Sequence, residues 1–373
     1  MTLAFVVNSG SSSIKWELLE VESGQSVRRG IVERIGEAGG DAADHREAMT
    51  SIIGMLGGEH PAVIGHRVVH GGELFSTATV VTPEVEAAIE KLSALAPLHN
   101  PPNLAGIRAA QAAFPGIPNV AVFDTAFHQS LAPEAYTYAI DAEVAAEHSV
   151  RRYGFHGTSY QYVSRRAAEL LDRPLAELRM IVFHLGNGAS ACAIAGGRSV
   201  DTSMGMTPLE GLVMGTRSGD LDPGALFHLA RAGLTTPELD TLLNRRSGIL
   251  GLSGHGDMRD LVEAMRSGDA ASRLAFDVYV HRVRHYLGAY LAQLGGADAI
   301  VFTAGVGENS PDVRAGALAG LEGLGIRLDE TRNSARSAEP RRISPDDAPL
   351  AVLVVPTNEE LEIARQSLAA LAG

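Results

Sequence analysis

Cysteine is all but missing from this chain: its 373 residues include one, Cys192. A single thiol excludes an intrachain disulfide and a cysteine-based metal cluster, and it fits a reducing compartment. Positive charge is also short, with 31 Lys and Arg against 44 Asp and Glu and a formal net charge of −13. That balance argues against nucleic acid or an anionic membrane as partner, so an anionic substrate would need a local cluster of arginines. No apolar run approaches the length that spans a bilayer, and the N-terminus has no basic n-region. The expectation is therefore a cytoplasmic protein with neither membrane anchor nor signal peptide. What the chain does have is apolar bulk. A 45% hydrophobic content over this length predicts two domains.

The first turn organises the rest. Leu3 to Val7 reads as a short apolar strand, then Asn8-Ser9-Gly10-Ser11-Ser12-Ser13 turns into a second strand, Ile14 to Leu19. Glycine allows close backbone approach, and serine hydroxyls with main-chain N–H groups can surround a phosphate, with Lys15 adding charge. A plain surface hairpin explains the same residues. The pattern returns at Met180 to His184, Leu185-Gly186-Asn187-Gly188-Ala189-Ser190 and Ala191 to Ala195. Aligning Gly10 with Gly188 also aligns Ser12 with Ser190. Two such turns half a chain apart suggest a duplicated domain with nucleotide in the cleft between the copies.

Other segments carry candidate chemistry. Ala62 to Glu73 reads as a buried strand with Arg67 and His70, and an arginine there needs an anionic partner. Pro97 to Asn103 is too rich in proline for either regular element, and a helix follows to about Ala113. The strand Val120 to Phe123 ends at Asp124, where α/β sheets place their ligands, although an Asp there can also be a cap. Thr158 or Ser159 is expected to cap a helix running to about Leu171. Asp201 to Gly224 predicts a long ordered loop that leaves Arg217 free to reach a ligand or the surface. Gly254 to Asp260 reads as another polar loop. Asp269 to Leu294 is the longest predicted helix, and His281 and His285 on it have no third ligand nearby. Ala299 to Thr303 opens into Gly305-Val306-Gly307-Glu308-Asn309, a glycine turn suited to nucleotide. Thr357 with Glu360 fits a capping box, which leaves Glu359 as the better metal candidate.

Together these motifs resemble the acetate kinase family. NSGSSSIK at Asn8, GHRVVHGGE at Gly65, APLHNPPNL at Ala96, FDTAFH at Phe123, GFHGTS at Gly154, HLGNG at His184, DTSMGMTPLEG at Asp201, MGTRSGDLDP at Met214, DMRD at Asp257, FTAGVGENS at Phe302 and PTNEE at Pro356 follow it in order over nearly the whole chain. The resemblance implies an α/β fold of duplicated actin-like, ribonuclease H-like domains: residues 1–126 with 360–373, and a nucleotide-binding domain at 127–359. It implies reversible phosphoryl transfer from ATP to acetate with Mg²⁺, for which Mn²⁺ can substitute, and a homodimer. It also implies roles by residue. Asn8 and Glu359 would position the metal and Lys15 would contact the nucleotide phosphates. His184, Leu185, Gly186, Asn187 and Gly188, then Asp257, Met258 and Arg259, then Gly305 to Asn309, would hold ATP. Arg67 and Arg217 would hold the carboxylate and the transferring phosphoryl group, with His156 beside them, and Val69, Leu98, Phe155 and Pro208 would surround the methyl group. Asp124 is the family's acid/base residue. An acetate carboxylate is already ionised at neutral pH, however, so the expectation is that Asp124 orients an arginine or a metal-bound water.

The chain departs from the family in three places. Fewer residues than usual separate Leu19 from Gly65, Tyr160 replaces a histidine after GFHGTS, and His255-Gly256 precedes Asp257 where glycine is less common. A kinase for propionate or another short acyl group, a sugar or polyol kinase, and a non-catalytic ATPase switch are the competing readings.

Overall fold

The computed structural model describes residues 2–372. By internal contacts the chain separates into two compact units. The first holds the residues up to Gln129, Phe155–Ser159, and the chain from Asn358 onward; the second holds Ser130–Gly154 and Tyr160–Thr357. Glu359 and His156, expected in the second domain, thus pack with the first.

Unit 1 is built on a six-stranded sheet: β1 (Leu3–Ser9), β2 (Ser13–Glu20), β3 (Ser26–Glu33), β4 (Val63–Val68), β5 (Thr79–Val80) and β6 (Asn119–Phe123), in the order β3-β2-β1-β4-β6-β5. Along β2, Ile14, Trp16 and Leu18 are buried while Lys15 is exposed, the alternation of a strand with one core face. Phe5, Ile14, Trp16, Met49 and Ile52 share one apolar cluster; Val68, Phe75, Leu104 and Phe123 form another. The helix Glu359–Ala372 lies over β1, β4 and β6.

Unit 2 repeats this plan with β7 (Arg179–Leu185), β8 (Ala189–Ala195), β9 (Arg198–Thr202), β10 (Ala299–Thr303), β11 (Arg341–Arg342) and β12 (Ala351–Val354). Its order, β9-β8-β7-β10-β12-β11, matches the first sheet strand for strand. Directions match too: β1–β2, β2–β3 and β5–β6 are antiparallel, as are β7–β8, β8–β9 and β11–β12, while β1–β4–β6 and β7–β10–β12 run parallel. The duplication is real, but its register differs from the Gly10–Gly188 alignment. The first hairpin closes at Ser9 and Ile14, the second at Leu185 and Ala189, so Gly10 matches Gly186 and the second turn is one residue shorter. Ser190 accordingly lies in β8 opposite His184, not in the turn.

The predicted long helix is present as Ala270–Leu294, capped by Asp269 and ended by Gly295, with His281 and His285 exposed on it. No helix among the described residues is long and apolar enough to cross a membrane.

Candidate active site

In unit 1 the candidate residues gather at the carboxyl ends of the parallel strands. Asn8 and Lys15 face each other across the β1–β2 pair, so their side chains share one side of the sheet. The β1–β4 register pairs Val7 with His66, and one further step brings Asn8 level with Arg67. Asp124 follows β6, its N–H donating to the Val68 carbonyl at 3.0 Å.

Arg67 has the partner that its place in an apolar strand demands. Its Nε donates to both Asp124 oxygens at 3.0 and 3.1 Å, and one terminal nitrogen donates to Oδ2 at 2.6 Å. The other terminal nitrogen makes no hydrogen bond among the described residues, so a second anion can be gripped from that side. Asp124 is 2% exposed. Burial opposes the Arg67 charge, but Asp124 foremost, then Glu359, hold its pKa above the ordinary value.

Glu359 is in the opposite situation. Its half-buried carboxylate makes no hydrogen bond or close ion pair among the described residues. Burial raises its pKa to about 7; Asp124 and Glu360 push the same way, against Arg67 and Lys15. Its helix is capped by Asn358, whose Oδ1 accepts from Leu361 N at 2.9 Å. The Asn8 amide also makes no hydrogen bond among the described residues. One free carboxylate and one free amide oxygen are hard donors, suited to a divalent cation that keeps waters and substrate phosphates as its other ligands. No three His, Cys, Asp or Glu side chains gather into a metal cluster among the described residues.

The segment 155–159 is fixed against Asp124. Gly157 N donates to the Asp124 carbonyl at 2.9 Å, and a β-carbon on Gly157 would stand 2.4 Å from that oxygen. His156 takes a left-handed φ of 60° to reach this contact, and the helix begins at Gly157, leaving Thr158 and Ser159 inside it rather than capping it. Phe155 is buried edge-on to His70, with His128 Nε2 2.9 Å from its carbonyl. Val69 is half-buried beside Arg67, whereas Leu98 is 54% exposed.

Unit 2 assembles the second group. Gly186 N bonds to the Gly188 carbonyl, and Gly186 packs against Ala304 and His184. Gly215 N donates to the Asn187 carbonyl at 3.0 Å; a β-carbon on Gly215 would overlap Asn187 Oδ1. The turn 214–217 carries Arg217, so the arginine and the Asn187 turn adjoin. The loop after β9 has no regular structure up to Asp222, as expected. It is held by Arg152, which donates to the Thr202, Ser203 and Met204 carbonyls and to Glu210 at 2.6 Å. Among the described residues the Arg217 guanidinium donates only to the Pro208 carbonyl at 3.2 Å and Met214 sulfur at 3.8 Å, and burial lowers its pKa. No carboxylate pairs with it among the described residues.

The remaining nucleotide candidates differ from expectation in detail. Gly305 to Asn309 is a short helix from Ala304, itself at φ 63°, rather than a turn. Glu308 accepts from Thr357 N, and the orphaned Thr303 hydroxyl lies at the end of β10 beside His184. Asp257 caps the helix Met258–Arg266 and pairs with Arg259, which is 88% exposed; that bond holds the Asp257 pKa at about 2. Met258 and Leu185 are buried. Tyr160 is buried, with its hydroxyl 2.5 Å from Ser190 Oγ.

Three supporting residues escaped the sequence reading. Asn100 holds both the N–H and the carbonyl of His70, Asn103 links Ser9 O to Val69 N, and His45 Nε2 meets Gly10 O at 2.8 Å. The spacing of Asn100 and Asn103 on one helix face was the available signal; Pro101 and Pro102 concealed it, because the helix Asn100–Ala113 carries both prolines in its first turn.

The chain matches the acetokinase family over residues 3–365. It is 61% identical to the acetate kinase of Leifsonia xyli subsp. xyli (strain CTCB07), covering 100% of both chains. Among solved structures it is similar to Porphyromonas gingivalis acetate kinase, at 42% identity and a TM-score of 0.95 over 100% of both chains. It is also similar to a propionate kinase from Francisella tularensis subsp. tularensis SCHU S4, at 38% identity and a TM-score of 0.93 over 99% of this chain and 100% of that one. The chain belongs to the acetokinase family.

Proposed function

We propose that this protein transfers the terminal phosphoryl group of ATP to acetate, reversibly, giving acetyl phosphate and ADP. The observation that carries this reading is Arg217: a half-buried guanidinium with no acid partner among the described residues, beside the Asn187 turn, in a chain of net charge −13. Such a charge is costly unless an anion completes it.

Phosphoryl transfer is chiefly a matter of alignment and of stabilising charge on the equatorial oxygens. Arg217 supplies that charge to the transferring group, with His156 assisting. Arg67, oriented by Asp124, grips the acetate carboxylate through its unused terminal nitrogen. Asp124 needs no proton role, because its carboxylate is already committed to Arg67. His184 to Gly188, Gly305 to Asn309 and the Asp257 to Arg259 cap hold the nucleotide, and Lys15 its phosphates. Asn8 and Glu359 would hold Mg²⁺, or Mn²⁺ in its place, which would neutralise phosphate charge.

Val69, Phe155, Pro208 and Leu98 surround the acyl methyl. Acetate is preferred over propionate, since one methylene changes discrimination by ~1–3 kcal/mol. The protein works in the cytoplasm as a homodimer. The helix Pro223–Arg231 supports a second copy as partner: none of its residues is buried and Phe227 is 62% exposed. Light scattering of Phe227→Asp should show a monomer.

Incubation with ATP, Mg²⁺ and acetate, then hydroxylamine, tests the reaction, because only an acyl phosphate yields a hydroxamate. No hydroxamate, or a higher kcat/KM for propionate than for acetate, would sink the reading in its respective part.

A further inference from the structure

The first turn is polarised. Four of its carbonyls are taken: Ser9 O by Asn103 Nδ2 at 2.6 Å, Gly10 O by His45 Nε2 at 2.8 Å, Ser12 O by Ile35 N at 3.0 Å, and Ser13 O by Gly10 N at 2.7 Å. Its two central residues keep their donors. The N–H groups and hydroxyls of Ser11 and Ser12 have no acceptor among the described residues, and both serines are exposed.

In a trans peptide the C=O and the next N–H point in opposite directions. Holding Gly10 O from behind therefore aims the Ser11 N–H outward, where with the Ser11 and Ser12 hydroxyls it can meet an anion. Two of the four ties come from side chains far away in sequence. Asn103 is buried and also accepts from Val69 N at 3.1 Å, so one amide spans the ends of β1 and β4. His45 opens the helix His45–Leu56, inside the segment shorter than usual for the family.

We propose that His45 is a positioning residue that keeps the Ser11 N–H at the tip of the turn directed at the phosphates of the nucleotide, and that Asn103, a second positioning residue, ties this turn to the strand end carrying Arg67. Neither touches substrate; each acts through a carbonyl. This rests on the reading of the turn as a phosphate site.

The test compares His45→Ala, His45→Gln and Asn103→Ala with wild type by the hydroxamate assay, with ATP titrated calorimetrically in parallel. His45→Ala should lower kcat/KM for ATP about tenfold, one charge-independent hydrogen bond's worth, with KM for acetate within twofold. His45→Gln, which restores an N–H donor at similar reach, should recover most of the loss, as a merely structural site would not. Asn103→Ala should raise KM for both substrates. His45→Ala within twofold of wild type for ATP, or His45→Gln no better than alanine, overturns the proposal. If wild-type protein made no acyl phosphate, the reaction reading would fail separately, and equal ATP affinity of wild type and His45→Ala would then overturn this one.

Discussion

Arg67 and Arg217 are the same side chain in two different conditions. Arg67 lies at the end of a strand with a carboxylate bound along its Nε edge, and Arg217 lies in an irregular loop with a carbonyl and a thioether. The first is neutralised by Asp124 in the fold. The second has no acid beside it among the described residues. Under the proposed reaction the first would contribute direction and the second charge, and losing one partner of the first pair would leave a buried charge behind.

Substitution should separate the two conditions. The largest effect is expected for Arg217→Ala: kcat should fall ~10³-fold or more, while the melting temperature stays level or rises, as differential scanning calorimetry would show. Arg67→Ala should instead unfold more easily by about 3–5 kcal/mol, because Asp124 is left buried and alone. Urea titration checks this, and adding Asp124→Ala should restore much of the stability but no activity.

A third contrast uses pH. Glu359 stays protonated in the fold up to about pH 7 but ionises from about 4.5 when unfolded. Its stabilisation is therefore full below 4.5 and lost as pH rises through 7, a decline of up to ~3 kcal/mol. Denaturation midpoints of metal-free protein at pH 5 and pH 8 measure it, and Glu359→Gln should flatten the slope. The smallest effect is Asp124→Asn, which keeps one acceptor for Arg67. It should cost kcat ~10-fold, about one charged hydrogen bond, without altering the shape of the pH profile. Complete loss with ATP and Mg²⁺ affinity intact would restore a proton role to Asp124.

The sequence made some of this legible. A buried arginine in GHRVVH requires an acid, and an acid ending a strand was there to meet it. The repeated hairpins announced two copies of one sheet. Their true register was hidden because glycine suits several turn positions, and only strand pairing shows which. Three helix starts were misread where proline or glycine opened them: Pro101 and Pro102, Gly157 and Gly305 all sit in first turns, where missing or unbonded N–H groups cost little. The solitude of Arg217 could not be read, since spacing does not reveal what a loop fails to bring near. His45 was invisible for a related reason: its bond to Gly10 spans 35 residues and belongs to no motif.

The helix Glu359–Ala372 has one more consequence. It covers β4 and β6 with Ile363 and Ser367 seated on Gly65, yet the whole of unit 2 separates it from those strands in sequence. A ribosome would release the first sheet long before its lid exists. That sheet must wait with an apolar face bare, so the nascent chain is the stage most prone to aggregation and most in need of a chaperone.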